Sequence, residues 1–384
     1  MRDNDPIVGS VLFAIEMLIR KVKWRVQPYS DEERDIEKSD FVKSCMDDMS
    51  HTWNNTITEI LSMLVFGWSY HEIVYKRRLG RNDDPAKRSK FNDGLIGWRK
   101  LAIRSQETLY KWEFDEGGGI KAMIQQPPPK YRMRRIPIEK ALLFRTTSRK
   151  NNPEGRSVLR NAYRPWFFKK NIQEIEGIGI ERDLAGLPVA WIPPELLDDN
   201  ASKEEKQVLQ EIKNIVKNIR RDEQEGVVFP LAYDEDNNKM YDLELLSSGG
   251  QRQFDTDKII ARYDQRIAMT VLADFILLGH ERVGSNALSE DKTDLFSTAI
   301  SAWLDNITQV FNRYAIPRLF KVNGFDMERL PKLTYGDIEE VDLETLSDYI
   351  NTLSGAGMPL FPDSELESYL KEIANLPTSQ EGGF

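Results

Sequence analysis

The strongest constraint on the fold is a long run of apolar residues at helical spacing in residues 255–278. The run places an apolar side chain at every fourth position, and a second set of apolar residues follows at neighbouring positions. This pattern predicts an amphipathic helix roughly 36 Å long at about 1.5 Å per residue. Asp255 is suited to cap its start. The residues that recur every four positions are Ile259, Tyr263, Ile267, Val271 and Phe275.

A second helical stretch, at 157–180, precedes this helix and contains Pro165. Proline inside a helix removes a hydrogen bond and clashes with the preceding turn, so we expect a kink or a split there. Residues 182–250 separate the two stretches. They combine one charged helix with two short strands, GVVFPLA and MYDLELLS, and end at Gly249-Gly250. We interpret them as a small, separate α/β unit.

The first 150 residues alternate between helical and strand patterns and predict an α+β module. Asp5 and Pro6 are suited to start a helix, and Thr56 to cap a later one that ends at Gly67. The segments KVKWRVQP, WSYHEIVYKRR, WRKLAI, TLYKWEF, IKAMIQ and IEKALLFRTTS are predicted strands. With 384 residues, the chain is too long for one simple core, and two to four modules are expected.

Positive charge is concentrated in one quarter of an acidic chain. The chain has a net charge of -9, yet residues 130–170 hold 13 Lys or Arg against two acids, a net +11 that leaves -20 for the rest. Arg156, Arg160 and Arg164 are spaced by four, which would place them on one helix face, and Lys169 and Lys170 extend the charge. Such a face suits phosphate contacts. It equally suits pairing with acids of a neighbouring unit or subunit.

Residues for covalent chemistry are scarce. There is a single cysteine, Cys45, and the three histidines lie far apart in sequence. No nucleophile-elbow, zinc-protease or phosphate-loop motif is present. We therefore expect no enzyme active site, no cofactor and no metal site, and His71 is interpreted as a partly buried sheet residue. The apolar run near the N-terminus is interrupted by Glu16 and Arg20, so we expect neither a signal peptide nor a membrane span.

Several segments, in order, resemble the portal proteins of tailed bacteriophages. The run "NNPEGRSVLRNAYRPWFFKKNIQEIEGIGIERDLAGLPVAWIPPE" is similar to a family segment with a Leu-Arg pair, an aromatic and lysine-bearing helix and an "E…G.P" element. Upstream, "MLIRKVKWRVQP" and "ILSMLVFGWSYHEIVYK" resemble the opening helix, strand and helix-strand elements. Downstream, "IIARYDQRIAMTVLADFILLG" and "GSNALSEDKTDLFSTAI" resemble the second long helix and the loop and helix after it.

This resemblance implies an α+β portal-type fold in a ring oligomer. The implied parts are an α/β wing, two long stem helices, a small α/β clip inserted between them, and a short helical crown. In this sequence they correspond to 1–155 (wing), 156–181 (first stem helix), 182–250 (clip), 251–278 (second stem helix), 279–292 (tunnel loop), 293–335 (wing, continued) and 336–384 (crown).

The resemblance also implies function. Portal rings, usually of twelve subunits, form the channel at one capsid vertex through which double-stranded DNA is packaged, retained and ejected. The implied partners are the major capsid protein, the terminase large subunit and a head-tail adaptor or neck protein, in the virion and, during assembly, in the host cytoplasm. No membrane partner is implied.

Two sets of contact residues are predicted on this basis. The tunnel loop would bring Arg282, Ser285, Asn286 and Lys292 towards DNA, and Arg156, Arg160, Arg164, Lys169 and Lys170 would contact a subunit, DNA or the motor. Two other function classes remain open at this point. One is a metal-dependent nucleic-acid-processing enzyme, and the other is a monomeric DNA-binding module.

Overall fold

The chain forms two compact units of mixed helix and sheet. The computed structural model describes residues 1–148, 150, 152–185, 187–198, 201–218, 233, 239–246, 255–270 and 286–336. The first unit comprises residues 1–162 and 268–384, and the second comprises residues 163–267. Helices and strands occur in both units, so the predicted α+β class is confirmed. Within the part of the chain that the structure describes, no helix is both long and apolar enough to cross a membrane.

The helices of the described residues are numbered in chain order. They are α1 (Pro6–Lys21), α2 (Glu33–Asp47), α3 (Trp53–Phe66), α4 (Tyr163–Ala185), α5 (Lys203–Asn218), α6 (Thr256–Met269), α7 (Asn286–Val310) and α8 (Ile316–Asn323). A π-helical turn at Phe311–Ala315 joins the last two. The predicted helix at 255–278 is therefore described up to Met269, and its predicted continuation lies outside the described residues.

The described strands form four antiparallel sheets. They are β1 (Trp24–Gln27), β2 (Trp68–Arg77), β3 (Ile96–Arg104), β4 (Leu109–Phe114), β5 (Ile120–Gln125), β6 (Arg134–Pro137), β7 (Ala141–Arg145), β8 (Leu187–Trp191), β9 (Asp242–Leu246) and β10 (Lys332–Tyr335). The first unit holds the sheets β3-β2-β7, β4-β5-β6 and β1-β10, and the second holds β8-β9. The segment GVVFPLA, predicted as a strand, lies outside the described residues.

Local side-chain chemistry sets where the first helices begin and end. Asp5 caps α1 as predicted, because its Oδ1 accepts the backbone N–H groups of Ile7 and Val8 at 3.0 and 3.1 Å. The cap of α3 is Thr52, whose hydroxyl accepts the N–H of Asn55 at 3.1 Å. The prediction of Thr56 as cap is wrong, since Thr56 is fully buried inside the helix, where its hydroxyl donates to the Thr52 carbonyl.

The core of the first unit is built from both ends of the chain. Side chains from α1, α3 and the β3-β2-β7 sheet pack with side chains from α7, the π-helical turn and α8. Phe311 lies at the centre, with ring centroids 5.0 Å from Trp53 and 5.7 Å from Phe144. Two side chains fasten the C-terminal segment to the sheets: Asn312 exchanges hydrogen bonds with the Leu333 backbone, and Asn323 with that of Ile96.

His71 is a structural residue of β2, and it is more buried than predicted. Its ring is fully buried and packs edge-on against Phe144 at 5.5 Å. Burial lowers the pKa of His71 to about 4, although its contact with the Leu101 carbonyl acts in the opposite direction. The imidazole is therefore neutral at physiological pH.

A buried ionic network fixes the long loop between β2 and β3. The Asp48 carboxylate accepts the Ser89 hydroxyl at 2.6 Å and the Lys90 N–H at 2.8 Å, and it pairs with the Lys76 ammonium at 3.1 Å. Burial by itself would raise the pKa of Asp48, but these hydrogen bonds and the Lys76 charge outweigh it and hold the pKa below its usual value. The network joins the end of α2 to the 79–95 loop.

We predict that Asp48→Asn lowers the free energy of unfolding at pH 7 by about 1–3 kcal/mol, because it leaves the buried Lys76 without its counter-ion. The pKa of Asp48 is lower in the folded protein than in the unfolded chain, where it is about 3.9. The ionised carboxylate therefore stabilises the fold above about pH 3.9, and this stabilisation is lost as the pH falls through the folded-state pKa. Denaturant unfolding from pH 7 to pH 2.5 should therefore show a steeper acid loss in the wild type than in Asp48→Asn.

The exposed Asp83 in the same loop provides the control, and Asp83→Asn should change stability by less than about 0.5 kcal/mol. The neutral, buried His71 adds a separate loss between about pH 6.5 and 4 that all three proteins share. Equal acid sensitivity of Asp48→Asn and the wild type would show that this network does not hold the loop.

Candidate functional site

The basic segment that stands out in the sequence does not form one continuous helix face. Arg156 lies outside any helix, Arg160 lies in a short 3-10 helix at Val158–Ala162, and Arg164 lies in the first turn of α4. The prediction that these three arginines share a helix face is therefore wrong. Pro165 is the third residue of α4, where the absent N–H has no intrahelical partner to lose, so it starts the helix rather than kinking it.

A close backbone contact fixes the chain just before this segment. Gly155 has a positive φ of 60°, and a Cβ added there would lie 2.3 Å from the Gly67 carbonyl oxygen. Gly67, with φ of 91°, would bring a Cβ within 2.5 Å of the Glu154 carbonyl oxygen. Only glycine fits at either position. Thr146 adds to the contact, because its backbone N–H donates to the Gly67 carbonyl and its hydroxyl to the Arg156 carbonyl.

Lys169 is buried inside the second unit. Its side chain is 2% exposed, and the ammonium lies 2.5 Å from the Asp264 carboxylate of α6. At this separation the two groups form an ion pair. Next to this pair in the sequence, Phe168 stacks on Tyr263 with ring centroids 6.4 Å apart. Lys169 holds α4 to α6 and is not available as a surface contact residue, contrary to prediction.

The other four predicted contact residues of this segment are exposed. Lys170 is exposed and pairs with Glu174 one turn later at 3.4 Å. The Arg164 guanidinium lies 5.8 Å from the Phe168 ring centre. Arg156 donates from Nη2 to the Asn161 side chain at 2.8 Å. Arg160 is exposed. Contact of these residues with a subunit, with DNA or with a motor stays a prediction.

An apolar stripe on α4 lies exposed, and the sequence analysis did not predict it. Ile175 is 68% exposed and Tyr163 59%. The members follow one another at spacings of 4, 8 and 3 residues, which keeps them on one side of a helix. This stripe consists of Tyr163, Phe167, Ile175 and Ile178. Exposed apolar side chains on one side of a helix are typical of protein–protein contacts.

Only two of the four predicted tunnel-loop residues lie within the described part of the chain. Arg282 and Ser285 lie outside the described residues. Asn286 begins α7, and Lys292 belongs to the same helix. Residues 286–292, which the sequence assigned to this loop, are therefore helical. Within the described ranges, no three His, Cys, Asp or Glu residues come close enough together to hold a metal ion.

Comparison with known proteins identifies the family. A family model described as "Portal protein of Mu bacteriophage" matches residues 1–372. The chain belongs to this portal protein family. The resemblance to tailed-bacteriophage portal proteins seen in the sequence is thus confirmed.

Two solved structures share the fold of this portal protein, and a third resembles it more weakly. The neck of an empty gene transfer agent particle, computed with C6 symmetry, matches with a TM-score of 0.54 at 12% identity, covering 98% of this chain and 92% of the other. A virion of the native gene transfer agent matches with a TM-score of 0.52 at 10% identity, covering 98% and 91%. A crystal structure of an HK97-family phage portal protein from Corynebacterium diphtheriae has a TM-score of 0.48 at 11% identity, covering 89% and 94%.

Proposed function

We propose that this portal protein assembles into a ring, with twelve subunits as the usual number, at one vertex of a phage capsid. Double-stranded DNA enters, is retained and leaves through the central opening. The ring contacts the major capsid protein, docks the terminase large subunit during packaging, and later docks a head-tail adaptor. ATP hydrolysis belongs to the motor. The family match over residues 1–372 is the observation that carries this proposal.

The domain assignments follow from the same proposal. Helices α4 and α6 correspond to the two stem helices, with the first beginning at Tyr163 rather than at residue 156. The residues between them, with α5 and the β8-β9 sheet, correspond to the clip. Within the first unit, residues 1–162 and 293–335 correspond to the wing and residues 336–384 to the crown. Arg282, Ser285, Asn286 and Lys292 would approach DNA from the region of the tunnel loop.

The apolar stripe of α4 supports subunit packing. Burial of apolar surface stabilises association by roughly 25 cal/mol per Å², and an isolated subunit leaves these side chains in water. Their own unit does not cover them, whereas Lys169, on the opposite side of α4, pairs with Asp264 of α6. A neighbouring copy of the chain is the partner that a ring supplies.

The charge balance suits a conduit for DNA. Each phosphate that a protein neutralises adds about 0.9 to the slope of log affinity against log salt, so a uniformly basic bore would hold DNA tightly. A chain of net charge -9 with localised cations would bind DNA more weakly and allow it to move.

Electron microscopy of the purified chain in negative stain, together with mass photometry, tests the proposal. We expect rings with a central opening. We further expect that Ile175→Ser with Ile178→Ser removes the rings, since it makes the stripe polar, and leaves the helical circular dichroism signal unchanged, since both side chains are exposed. The matched control on the same helix is Gln173→Ser, an exposed polar residue outside the stripe, which should still form rings.

Two results would count against these expectations in different ways. A wild-type chain that stays single at high concentration, and shows no opening in assembled capsids, would contradict the proposed function. Rings of normal size formed by the Ile175→Ser, Ile178→Ser variant would contradict only the role given to the stripe.

A further inference from the structure

A groove lies beside the two-stranded sheet β1-β10 of the first unit. Its volume is about 610 Å³. It is lined by all four residues of β1, by Thr334 of β10 and, on α2, by Lys43, Met46 and Asp47. Because the groove contacts the whole of β1 and only one residue of β10, it lies on the side of β1 that faces away from β10.

The backbone of β1 has hydrogen-bonding groups that point towards this groove. The Gly336 N–H donates to the Lys23 carbonyl at 2.9 Å, so Lys23 faces β10. In an antiparallel pair, such residues alternate with residues whose N–H and C=O groups point away from the partner strand. Trp24 and Val26 are the residues of β1 that point away. No described residue forms a hydrogen bond with these backbone groups.

An unpaired edge is unfavourable at this position, because Val26 is only 4% exposed. Buried backbone N–H and C=O groups in proteins are almost always paired. The other edge of the same sheet follows this rule: the Asn312 side chain accepts the Leu333 N–H at 2.7 Å and donates to the Leu333 carbonyl at 2.9 Å. An extended segment added to β1 would satisfy Trp24 and Val26 in the same way.

We propose that residues 337–348 of the same chain bind in this groove as a third strand beside β1. The chain leaves β10 at Gly336, next to the start of β1, so the segment begins close to the groove. A third strand lies two strand spacings, roughly 10 Å, from β10, and residues 337–340 can span about 13 Å. Since β10 is antiparallel to β1, the returning segment runs parallel to β1.

The apolar side chains of this segment match the groove. Residues 341–344 have the sequence VDLE, in which apolar and acidic side chains alternate as in a strand with one buried face. β1 alternates in the same way, with its second and fourth residues exposed and Val26 buried. As a neighbouring strand, the segment packs Val341 and Leu343 beside Val26 and Met46.

Charge favours the same occupant. Residues 337–348 contain six acids and no Lys or Arg. The groove presents two cations, Arg25 and Lys43, and one acid. Lys21 and Lys23 are exposed just before β1, where the segment enters. Opposite charges on neighbouring strands stabilise their pairing, so the acids of the VDLE stretch complement this surface.

This inference does not depend on the ring. It concerns contacts within the first unit of a single chain. It also changes one assignment, because the part that corresponds to the crown would then begin after residue 348.

Photo-crosslinking of the full-length protein tests the inference. A benzophenone side chain is placed at Gln27, which is exposed and lines the groove at the end of β1 remote from Gly336. After irradiation, peptide mass spectrometry should locate the crosslink in residues 337–348. The matched control carries the benzophenone at Glu37, an exposed residue of α2 outside the groove, and should give little crosslinking to that segment.

A pair of segment variants separates binding in the groove from simple tethering. Val341→Asp with Leu343→Asp should lower the yield of the Gln27 crosslink at least about fivefold, because two carboxylates would have to be buried. Thr345→Asp with Ser347→Asp adds the same charge outside the alternating stretch and should change the yield by less than about twofold. Equal yields from the two variants would overturn the proposal, since the segment would then reach Gln27 only through its tether.

Co-expression identifies which copy supplies the segment. A second gene without the benzophenone carries Ser347→Ala as a mass mark. Crosslinked peptides without the mark support the proposal, whereas marked peptides would overturn it in favour of a segment from a neighbouring copy. No crosslink to residues 337–348 would overturn it outright. Rings that form without the crosslink contradict only this inference, and a single chain that forms the crosslink contradicts only the ring.

Discussion

Replacing Phe311 with alanine should lower the free energy of unfolding of the first unit by about 3–5 kcal/mol. The side chain is 1% exposed, and its ring contacts those of Trp53, Trp98 and Phe144 at centroid distances of 5.0, 6.3 and 5.7 Å. Removing it opens a cavity between α3, two sheet strands and the π-helical turn. Close packing on every side lets the neighbours relax only partly, so most of the cavity would remain.

Chemical denaturation followed by tryptophan fluorescence provides the measurement, because Trp53 and Trp98 both border the cavity. The control is Phe13→Ala on α1, where the ring is 62% exposed and its loss should cost less than about 0.5 kcal/mol. Similar midpoints for the two variants would show that Phe311 is not the centre of this core.

Replacing Lys169 with methionine should destabilise the second unit by about 3 kcal/mol. Methionine keeps the apolar stem but leaves the Asp264 carboxylate without its counter-ion, and breaking one half of a buried pair typically costs 3–5 kcal/mol. We expect a loss at the lower end of this range, because the Asp264 side chain is 20% exposed and keeps some hydration. Thermal unfolding of the full chain, followed by hydrogen exchange in α4 and α6, would locate the effect.

A double-mutant cycle with Asp264→Leu distinguishes the pair from simple packing. Removing both charges should restore much of the loss, since two buried ions are replaced by apolar groups. If Lys169→Met alone is as stable as the wild type, Lys169 does not hold the two helices together. The exposed neighbour offers the comparison: Lys170→Met should change stability by less than about 0.5 kcal/mol.

Sequence reasoning succeeded where local chemistry decides the structure. Asp5 caps α1 and Gly67 ends α3 in a left-handed conformation, because each needs only its immediate neighbours. It failed at the cap of α3, since Thr52 and Thr56 are equally suitable residues one turn apart. Only the packing of Ile57 and Ile60 into the core decides which turn comes first.

The basic segment shows the limit of spacing arguments. Arg156, Arg160 and Arg164 have helical spacing, yet the Gly67–Gly155 contact holds the preceding chain outside a helix. A spacing of four also cannot reveal that Lys169 points towards an acid on α6, 95 positions later in the chain. The apolar stripe was missed for a related reason: apolar residues occur around all sides of α4, so no single face stands out in the sequence.

The pairing of β1 with β10 has a consequence for how the chain is made. Trp24 lies opposite Tyr335, so a ribosome must add roughly 300 residues after the first strand before its partner exists. At the usual 5–20 residues per second this takes about 15–60 s. Throughout that interval the nascent first strand has an unsatisfied edge, which makes it a natural client for a chaperone. Fusing a stall sequence shortly before residue 332 should therefore trap a nascent chain whose amino-terminal portion remains protease-sensitive.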